Sequence, residues 1–439
     1  MPGGKAATII GEWRNWAGDQ ACRPVESIRP RSRDELAESV ALAAGAGRKV
    51  SVAGSGHSFT EAALTDGAMV HVEALGGILD ADRSSGLVRV GGGAVLADLN
   101  EELSGLGLAM ENLGDIDRQT IAGAISTGTH GTGAKLRNIS SQVEGLELVL
   151  ADGSVRELGA GDPSLLRAAR VGVGALGVIS AVTLRCVPAF TLHRVDSSHP
   201  REEVLDSFQQ RADANDHFEL FTFPYADSAL VLERNRTEAP PRPRGRAAAY
   251  LNDIVLENWA LEALSATGKR FPGAIPRLSR LAAWAASGSE ATDRSDRIFA
   301  NERRVRFTEM EYGLPREHGP EAARRVVEWV RANRYPVFFP IEMRVTAADD
   351  SLLSPSHERD TAYIAVHQYR GMEWRPYFEA VEEIMSSYGG RPHWGKRHFQ
   401  TAATLAPRYP AWEEFQRARD ELDPGRTFTN AYAQRVLGA

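Results

Sequence analysis

The chain has 439 residues, more than one hydrophobic core usually serves, and its shares of apolar (43%) and charged (25%) residues are those of a folded globular protein. The net charge of −7, with acids and bases interspersed, gives no basic surface for nucleic acid. Two cysteines, Cys22 and Cys186, exclude a disulfide framework and leave no CxxC pair for zinc or an iron–sulfur cluster. No stretch approaches the roughly 20 apolar residues that span a bilayer. The first residues, MPGGKAATIIGEW, lack the apolar core of a signal peptide, so we expect a cytoplasmic protein.

Alternating helices and strands are predicted for about the first 190 residues. Apolar positions at helical spacing indicate the helices, and β-branched runs that end in glycine or aspartate turns indicate the strands. In chain order, the pattern predicts a helix over 33–46, strands over 49–53, 68–72 and 86–90, a helix over 95–103, and strands over 145–150 and 178–184. The first part of the chain is therefore expected to mix both element types.

Beyond about residue 190 the pattern changes to longer polar and helical stretches. A proline-rich segment that holds Arg242, Arg244 and Arg246 is predicted to be an exposed linker. The basic amphipathic segment 276–287 is predicted to be a surface helix that rests on a core, with a membrane surface as the alternative partner. Strands over 337–346 and 362–369 and a helix over 376–388 follow.

Glycine-rich segments offer candidate binding sites for a pyrophosphate. The turn Gly54-Ser55-Gly56-His57-Ser58 directly follows a predicted strand, and its glycines let backbone N–H groups approach a phosphate closely. The segment 172–177 fits the pattern G-x-G-x-x-G, but it precedes a strand, whereas a nicotinamide fingerprint lies between a strand and a helix. The segment 120–133, TIAGAISTGTHGTG, has the small residues expected where a large planar or phosphorylated ligand lies against the chain. We therefore favour the first turn together with 120–133 over a pair of loops without a ligand.

Four motifs occur in order along the chain: VAGSGHSF, ENLGDIDRQTIAGAISTGTHGTG, GGRPHWGK and LDPGRTFTNAY. In these four motifs the chain resembles the sugar-1,4-lactone oxidoreductases of the vanillyl-alcohol oxidase flavoprotein superfamily. These include L-gulono-1,4-lactone and D-arabinono-1,4-lactone oxidases and dehydrogenases; the actinobacterial gulonolactone dehydrogenases resemble it most, and alditol oxidase is more distant. The resemblance implies an α+β fold with an FAD-binding domain (1–190) of two small sheets and no Rossmann fold. It also implies an α+β substrate-binding cap domain (191–390) with an antiparallel sheet, and a C-terminal segment (391–439) that packs back on the FAD domain.

The resemblance implies FAD as the cofactor, attached covalently through His57. Such a bond withdraws electron density from the isoalloxazine ring, which raises its reduction potential and helps to oxidise an unactivated alcohol. A lone histidine is otherwise a structural residue or a metal ligand, and no HExxH pattern favours a metal here. The further FAD contacts that the resemblance implies are Val52, Ala53, Gly54, Ser55, Gly56, Ser58, Gly114, Asp115, Thr120, Gly123, Thr127, Gly128, Thr129, His130, Ile179 and His393.

The expected substrate site combines a strand of the second domain with the HWGK motif. Glu342 and Arg344 are two apart on a predicted strand, so their side chains point to one face. A solvated ion pair is the ordinary interpretation, but the apolar flank FFPI favours an enclosed strand where charges bind a ligand. By resemblance, Glu342, Arg344 and Lys396 are the catalytic residues and contact substrate. Asp115 and His367 also belong to the substrate site, where they replace a serine and a threonine of the alditol oxidase pattern and favour a lactone. His367 is equally compatible with a buried structural role.

The sequence therefore predicts oxidation of a sugar-derived 1,4-lactone by hydride transfer to FAD. The electron acceptor stays open between oxygen, a cytochrome and a quinone, although the resemblance links Gly114 to oxygen access. One alternative is an alditol oxidase. Others are a flavin-storing or carbohydrate-binding protein without turnover, and an NAD-dependent dehydrogenase that rests on 172–177 alone. No metal and no nucleic-acid partner is expected, and membrane association is not indicated.

Overall fold

The computed structural model describes residues 11–242, 261–285, 288–300 and 304–439, so part of the predicted linker (243–246) and the end of the predicted helix 276–287 lie outside the described residues. The strands are, in chain order, β1 (Trp13–Arg14), β2 (Ala21–Cys22), β3 (Glu26–Ile28), β4 (Val50–Ala53), β5 (Ala68–His71), β6 (Ile78–Asp82), β7 (Leu87–Gly91), β8 (Leu108–Ala109), β9 (Val143–Val149), β10 (Val155–Leu158), β11 (Val178–Arg185), β12 (Val187–Pro188), β13 (Thr191–Pro200), β14 (His217–Thr222), β15 (Ser228–Thr237), β16 (Ser289–Arg294), β17 (Phe307–Pro315), β18 (Ile341–Thr346), β19 (Thr361–Tyr369) and β20 (Arg391–Pro392). The α-helices are α1 (Arg33–Gly45), α2 (Leu96–Gly105), α3 (Ile121–Ser126), α4 (Pro163–Arg170), α5 (Arg201–Asp206), α6 (Phe208–Ala214), α7 (Leu261–Arg270), α8 (Ile275–Ala285), α9 (Ser295–Phe299), α10 (Gly319–Ala332), α11 (Arg375–Ser387), α12 (Ala402–Leu405), α13 (Trp412–Leu422) and α14 (Ala431–Leu437).

A three-stranded parallel sheet, in the order β3-β5-β4, forms the first layer of the N-terminal half. Helix α1 begins after Ser32, whose side chain accepts a hydrogen bond from the backbone N–H of Glu35 at 3.2 Å. Apolar residues of α1 at helical spacing, among them Leu36 and Val40, pack with buried residues of this sheet. The predicted helix and both predicted strands are confirmed here. Strand β4 ends directly before the glycine-rich turn, which starts at Gly54.

A five-stranded antiparallel sheet, in the order β10-β9-β11-β7-β6, forms the second layer. The segment 172–177 joins α4 to β11, so it lies between a helix and a strand, the reverse of a dinucleotide fingerprint. Gly174 and Gly177 there have φ angles of 72° and 142°, which glycine adopts without strain. Residues 11–190 therefore contain the two predicted small sheets and no Rossmann fold, together with two further strand pairs, β1-β2 and β8-β12.

An eight-stranded antiparallel sheet, in the order β16-β13-β15-β14-β18-β19-β17-β20, dominates the second half. Helices α5, α6, α10 and α11 contribute the apolar residues that pack on one of its faces, together with strand residues such as Met310 and Met343. Because side chains alternate along a strand, Glu342 and Arg344 point to the opposite face from Met343. The sheet therefore presents its polar face away from these helices.

Two sequence predictions for this half are wrong in detail. The strand predicted over 337–346 begins only at Ile341, because Pro336 and Pro340 have no backbone N–H to donate within a sheet. The polar and helical texture predicted after residue 190 missed β13 to β17. One face of these strands carries charged residues, such as Glu309 and Glu311 in β17, so the segments have a polar composition although apolar and polar residues alternate along them.

The C-terminal segment contacts the N-terminal half. The backbone N–H of Val50 donates to the carbonyl of Thr427 at 2.9 Å. The side-chain amide of Asn430 donates to the carbonyls of Ala62 and Leu64 at 2.8 and 2.9 Å. These bonds tie the segment to β4 and to the loop after the glycine-rich turn. The domain limits at 190 and 390 stay a prediction.

Helix α8 is a surface helix, as predicted. Ile275, Ser279 and Ala283 are buried, whereas Leu281 and Trp284 are 51% and 81% exposed. Throughout the described part of the chain, each helix is too short or too polar to cross a membrane.

Candidate active site

The turn after β4 holds His57 against an aromatic side chain. The carbonyl of Gly56 accepts a hydrogen bond from the backbone N–H of Trp16 at 2.7 Å. The Trp16 indole stacks on the His57 imidazole, with ring centroids 5.4 Å apart and planes at 24°. Burial lowers the pKa of His57 to about 4, and the positive charges of Lys396 and Arg306 add to this effect. His57 is therefore a neutral imidazole at neutral pH.

The segment 120–133 packs directly against this turn. The hydroxyl of Thr120 caps α3 by accepting the backbone N–H of Gly123 at 3.3 Å. A Cβ atom at Gly54 would lie 2.3 Å from Thr120 Oγ1, so only glycine lets the two segments approach this closely. The two glycine-rich segments favoured from the sequence therefore form one surface.

A narrow cleft lies between β4, α3 and the segment 172–177. Its lining residues are small or apolar and include Val52, Ala122, Gly177 and Ile179. Bare glycine backbone and small side chains suit an extended, partly planar cofactor such as FAD. None of the charged residues described below lines this cleft, so Val52 and Ile179 belong to a separate part of the site.

The remaining residues expected to contact FAD lie in or beside the same segments. Most are buried or half-buried, whereas Ser55 is exposed. Their positions are as follows: Ala53 ends β4, Ser55 and Ser58 lie in the turn, Gly114 and Asp115 precede α3, Thr127, Gly128, Thr129 and His130 follow α3, and His393 follows β20.

Arg344 on β18 is surrounded by carboxyl groups. Its Nε and Nη2 atoms donate to Glu219 Oε1 at 3.1 and 3.0 Å, and Nη2 lies 3.3 Å from Asp115 Oδ1. The carboxyl group of Glu342 contacts the same guanidinium. Arg234 Nη2 donates to the other carboxyl oxygen of Glu219 at 2.9 Å. Glu342 and Arg344 are each only 7% exposed, so the solvated ion pair weighed from the sequence is wrong.

Lys396 is the second cation of the site. Its Nζ binds the carboxylate of Glu309 and lies 5.3 Å from the centre of the Phe59 ring. His367 Nε2 lies 3.5 Å from the other oxygen of Glu309. Burial opposes the charge on Lys396, but the carboxylates of Glu309 and Glu311 outweigh burial and raise the pKa of Lys396. Lys396 therefore keeps its charge although it is largely enclosed.

Two histidines expected to contact FAD lie close together, although they are far apart in the sequence. His130 Nε2 lies 3.1 Å from Glu311 Oε1, and its ring stacks on Tyr363 with centroids 3.5 Å apart. The His393 ring is centred 5.9 Å from that of His130, and its Nδ1 accepts the backbone N–H of Gly395 at 3.0 Å. Burial lowers the pKa of His393 to about 3, which keeps it neutral.

Sequence reasoning missed the carboxylates that hold these cationic and imidazole groups. Glu219, Glu309 and Glu311 are each at most 6% exposed. The run TEMEY of β17 carries two acids at a spacing of two, the same signal that singled out Glu342 and Arg344. Acids within otherwise apolar strand patterns are the feature that identifies all three.

Comparisons with known proteins identify the family of this chain. Residues 26–159 match the FAD binding domain family, and residues 182–436 match the D-arabinono-1,4-lactone oxidase family. The chain is 51% identical to L-gulono-1,4-lactone dehydrogenase of Mycobacterium tuberculosis, over 97% of this chain and 99% of that protein. It is 34% identical to L-gulonolactone oxidase of Mus musculus (97% and 98% covered). It is 32% identical to alditol oxidase of a Streptomyces species (96% and 98% covered).

The fold is also shared with a solved structure. A solvent-stable cholesterol oxidase superposes with a TM-score of 0.85 over 99% of this chain and 98% of that chain, at 20% identity. This likeness concerns the fold, which is of the vanillyl-alcohol oxidase type. The two family matches and the relatives that cover nearly the whole chain show which family the protein belongs to. The chain belongs to the D-arabinono-1,4-lactone oxidase family of FAD-dependent oxidoreductases.

Proposed function

We propose that this enzyme oxidises a sugar-derived 1,4-lactone, such as L-gulono-1,4-lactone, with FAD attached covalently to His57. The observation that carries the proposal is a pair of enclosed cations, Arg344 and Lys396, which both interact with Asp115 and Glu311. The charge of Lys396 also acts on His57. Relatives that cover nearly the whole chain are named as gulonolactone dehydrogenases and oxidases, which supports the substrate class.

Oxidation of a carbinol removes a hydride from carbon and a proton from oxygen. FAD, when bound, accepts the hydride. Arg344 and Lys396 donate hydrogen bonds to the oxygen on which negative charge develops, and their enclosure strengthens this stabilisation. Glu342 and Asp115 hold the Arg344 guanidinium and bind neighbouring oxygens of the substrate. His367 lies beside Glu309, which also binds Lys396, and its buried Nδ1, which has no hydrogen-bond partner, is the group that would receive the hydroxyl proton.

The environment of His57 supports covalent attachment. The low pKa of this histidine, which burial causes first of all, leaves the ring nitrogen lone pair free at neutral pH. A bond to the isoalloxazine methyl group would use that lone pair, and the two electrons released with the two hydrogens would pass through the flavin to its electron acceptor. Stacking on Trp16 fixes the ring plane. The neighbouring glycine-rich segments and the narrow cleft at Val52 and Ile179 offer bare backbone and small side chains against which the rest of FAD would lie.

The intact mass of the purified protein tests the covalent bond. We expect a gain equal to FAD minus two hydrogens, on the peptide that contains His57. The variant His57→Ala should release all of its yellow colour on acid precipitation. A wild-type protein that releases its flavin in the same way would refute the attachment.

Anaerobic stopped-flow reduction of the flavin tests the substrate class. A panel of aldonolactones and linear alditols is mixed with the oxidised holoenzyme, and we expect the lactones to reduce the flavin faster. Asp115 and His367, in place of the serine and threonine of the alditol oxidase pattern, support this order. Faster reduction by alditols would make the enzyme an alditol oxidase. The same enzyme, reoxidised by oxygen, a cytochrome or a quinone, reveals the acceptor.

A further inference from the structure

Buried charged groups of both signs meet around Arg344. Glu219, Glu342 and Asp115 all contact its guanidinium, and Arg234 binds the remaining oxygen of Glu219. The side chain of Glu219 is 3% exposed and that of Asp115 21%, with the others between. Three ionised carboxyls against two guanidinium groups would leave net negative charge where water scarcely reaches, which is unfavourable.

Glu219 and Glu342 lie on the neighbouring strands β14 and β18, and one oxygen of each carboxyl group contacts the same Nη2 atom of Arg344. Two ionised carboxyl groups on one nitrogen would repel each other in a buried site, so the pair is expected to hold one proton. The arginines determine which group carries it: Glu219 binds both Arg234 and Arg344, whereas Glu342 binds Arg344 alone.

The balance of forces on each carboxyl agrees with this assignment. Burial raises the pKa of Glu342, and the anions Glu219 and Asp115 raise it further, so that it stands well above its usual range although Arg344 opposes them. Burial also acts to raise the pKa of Glu219, but Arg344 and Arg234 outweigh burial and lower it.

We propose that Glu219 and Glu342 share one proton beside Arg344, so that Glu342 meets the substrate as a neutral hydrogen-bond donor and Glu219 acts as its positioning residue. The contact of Glu342 with substrate rests on the proposed function, whereas the proton shared by Glu219 and Glu342 is already present in the holoenzyme without substrate. A neutral Glu342 is not the base that receives the hydroxyl proton. When substrate is bound, its single O–H donates to a lactone oxygen rather than to Glu219, while Arg344 and Lys396 face the developing alkoxide.

The charged groups that face Glu342 come from three parts of the fold. Arg344 lies on the same strand, Glu219 on β14, and Asp115 in the segment before α3. Arg234 on β15 and Glu311 on β17 act on the cluster through Glu219 and Arg344, respectively. Arg344 is the one group among these that favours the ionised form of Glu342 by direct contact.

Infrared spectroscopy of the oxidised holoenzyme, without substrate, tests the shared proton. At pH 8 we expect a carbonyl band of a protonated carboxyl that Glu342→Gln removes. Glu219→Gln should remove it too, because Glu342 then ionises against Arg344. Glu147→Gln alters a buried carboxylate that Arg89 binds at 2.7 Å elsewhere, and it should leave the band unchanged. A band that survives Glu342→Gln overturns the proposal, as does its absence from the wild type.

The pH profile of lactone-driven flavin reduction tests the positioning role. In Glu219→Gln the rate should fall about tenfold per pH unit above the lowered pKa of Glu342 and recover on acidification. The double variant Glu219→Gln/Glu342→Gln should lose this dependence, because glutamine is a permanent neutral donor. A loss in Glu219→Gln that is equal at all pH values shows a merely structural role and overturns the positioning role. If no lactone reduces even the wild-type flavin, the proposed function fails, and the infrared result alone decides the shared proton.

Discussion

The two cations of the site are each held by a buried carboxylate from a neighbouring strand. Glu219 holds Arg344, and Glu309 holds Lys396. Such pairing fixes the direction of each long side chain and keeps its charge in a region of low dielectric. We therefore expect the cations to stabilise a developing alkoxide more than a neutral hydroxyl.

Removal of either cation should slow the chemical step. We expect Lys396→Ala and Arg344→Ala to lower the rate of lactone-dependent flavin reduction at least about tenfold, because each removes a charged hydrogen bond to the developing alkoxide. Stopped-flow absorbance of the flavin measures this rate directly. Arg375→Ala, which removes an exposed cation paired with Glu379, is the control and should leave it unchanged. Undiminished reduction in both site variants would exclude these residues from the mechanism.

Glu309→Gln should change the pH profile as well as the rate. Without the Glu309 carboxylate, burial lowers the pKa of Lys396 and fewer molecules carry the charged lysine as pH rises. Flavin reduction should therefore fall on the alkaline side and recover on acidification. Steady-state and stopped-flow rates between pH 6 and 10 measure the effect.

The control for this variant is Glu382→Gln, which alters another buried carboxylate, bonded to Tyr312 rather than to a site cation. Its alkaline limb should match that of the wild type. An identical profile for Glu309→Gln would mean that Lys396 does not depend on Glu309 for its charge.

Among the helices and strands, the sequence predicted those whose positions are determined by residues close in the chain. The helix α1 and the strands β4 and β5 were predictable because their apolar periodicity and their ends are set by nearby residues. The turn that carries His57 was predictable because its glycines follow a strand directly. The anchoring roles of Glu219 and Glu309 were not, because they arise from pairing between strands that are distant in sequence. Nothing local to either glutamate indicates which cation it meets.

The two glycine-rich segments approach each other closely where Gly54 follows β4 and Thr120 precedes α3. Gly54→Ala should lower FAD incorporation and stability, because its Cβ would lie 2.3 Å from Thr120 Oγ1 and force the segments apart. Overpacking of this kind typically costs about 1–3 kcal/mol. Gly161→Ala is the control, since a Cβ there meets nothing within 4 Å. The flavin-to-protein absorbance ratio and the unfolding midpoint measure both effects, and equal values for the two variants would contradict the argument.

The candidate active site lies where the two halves of the molecule meet. The backbone N–H of Gly133 donates to the carbonyl of Val345 at 2.8 Å, and the hydroxyl of Thr132 binds the carbonyl of Phe218. Lys396 arrives from the C-terminal segment, which also bonds to β4 through Thr427. Cofactor segments, the polar sheet face and the C-terminal segment therefore hold one another. The stability of this junction should respond to the groups buried within it.

Buried histidines make the stability of the molecule depend on pH. Burial lowers the pKa of His217 to about 4 and that of His398 to about 3, from an ordinary value of 6.5. The unfolded chain therefore binds protons at a higher pH than the folded chain, so acidification below pH 6.5 favours unfolding. At pH 5 each histidine should lower the free energy of unfolding by roughly 2 kcal/mol. Asp349 acts in the opposite direction below pH 6, because burial raises its pKa to about 6.

Urea unfolding of the holoenzyme at pH 7 and pH 5 measures this dependence. We expect the wild-type protein to lose stability at pH 5, and His398→Gln to lose roughly 2 kcal/mol less, since the variant has no imidazole to protonate on unfolding. His318→Gln changes a histidine that is exposed at the surface and should follow the wild type. A pH dependence in His398→Gln as steep as in the wild type would mean that other groups, and not this buried imidazole, set the acid stability of the junction.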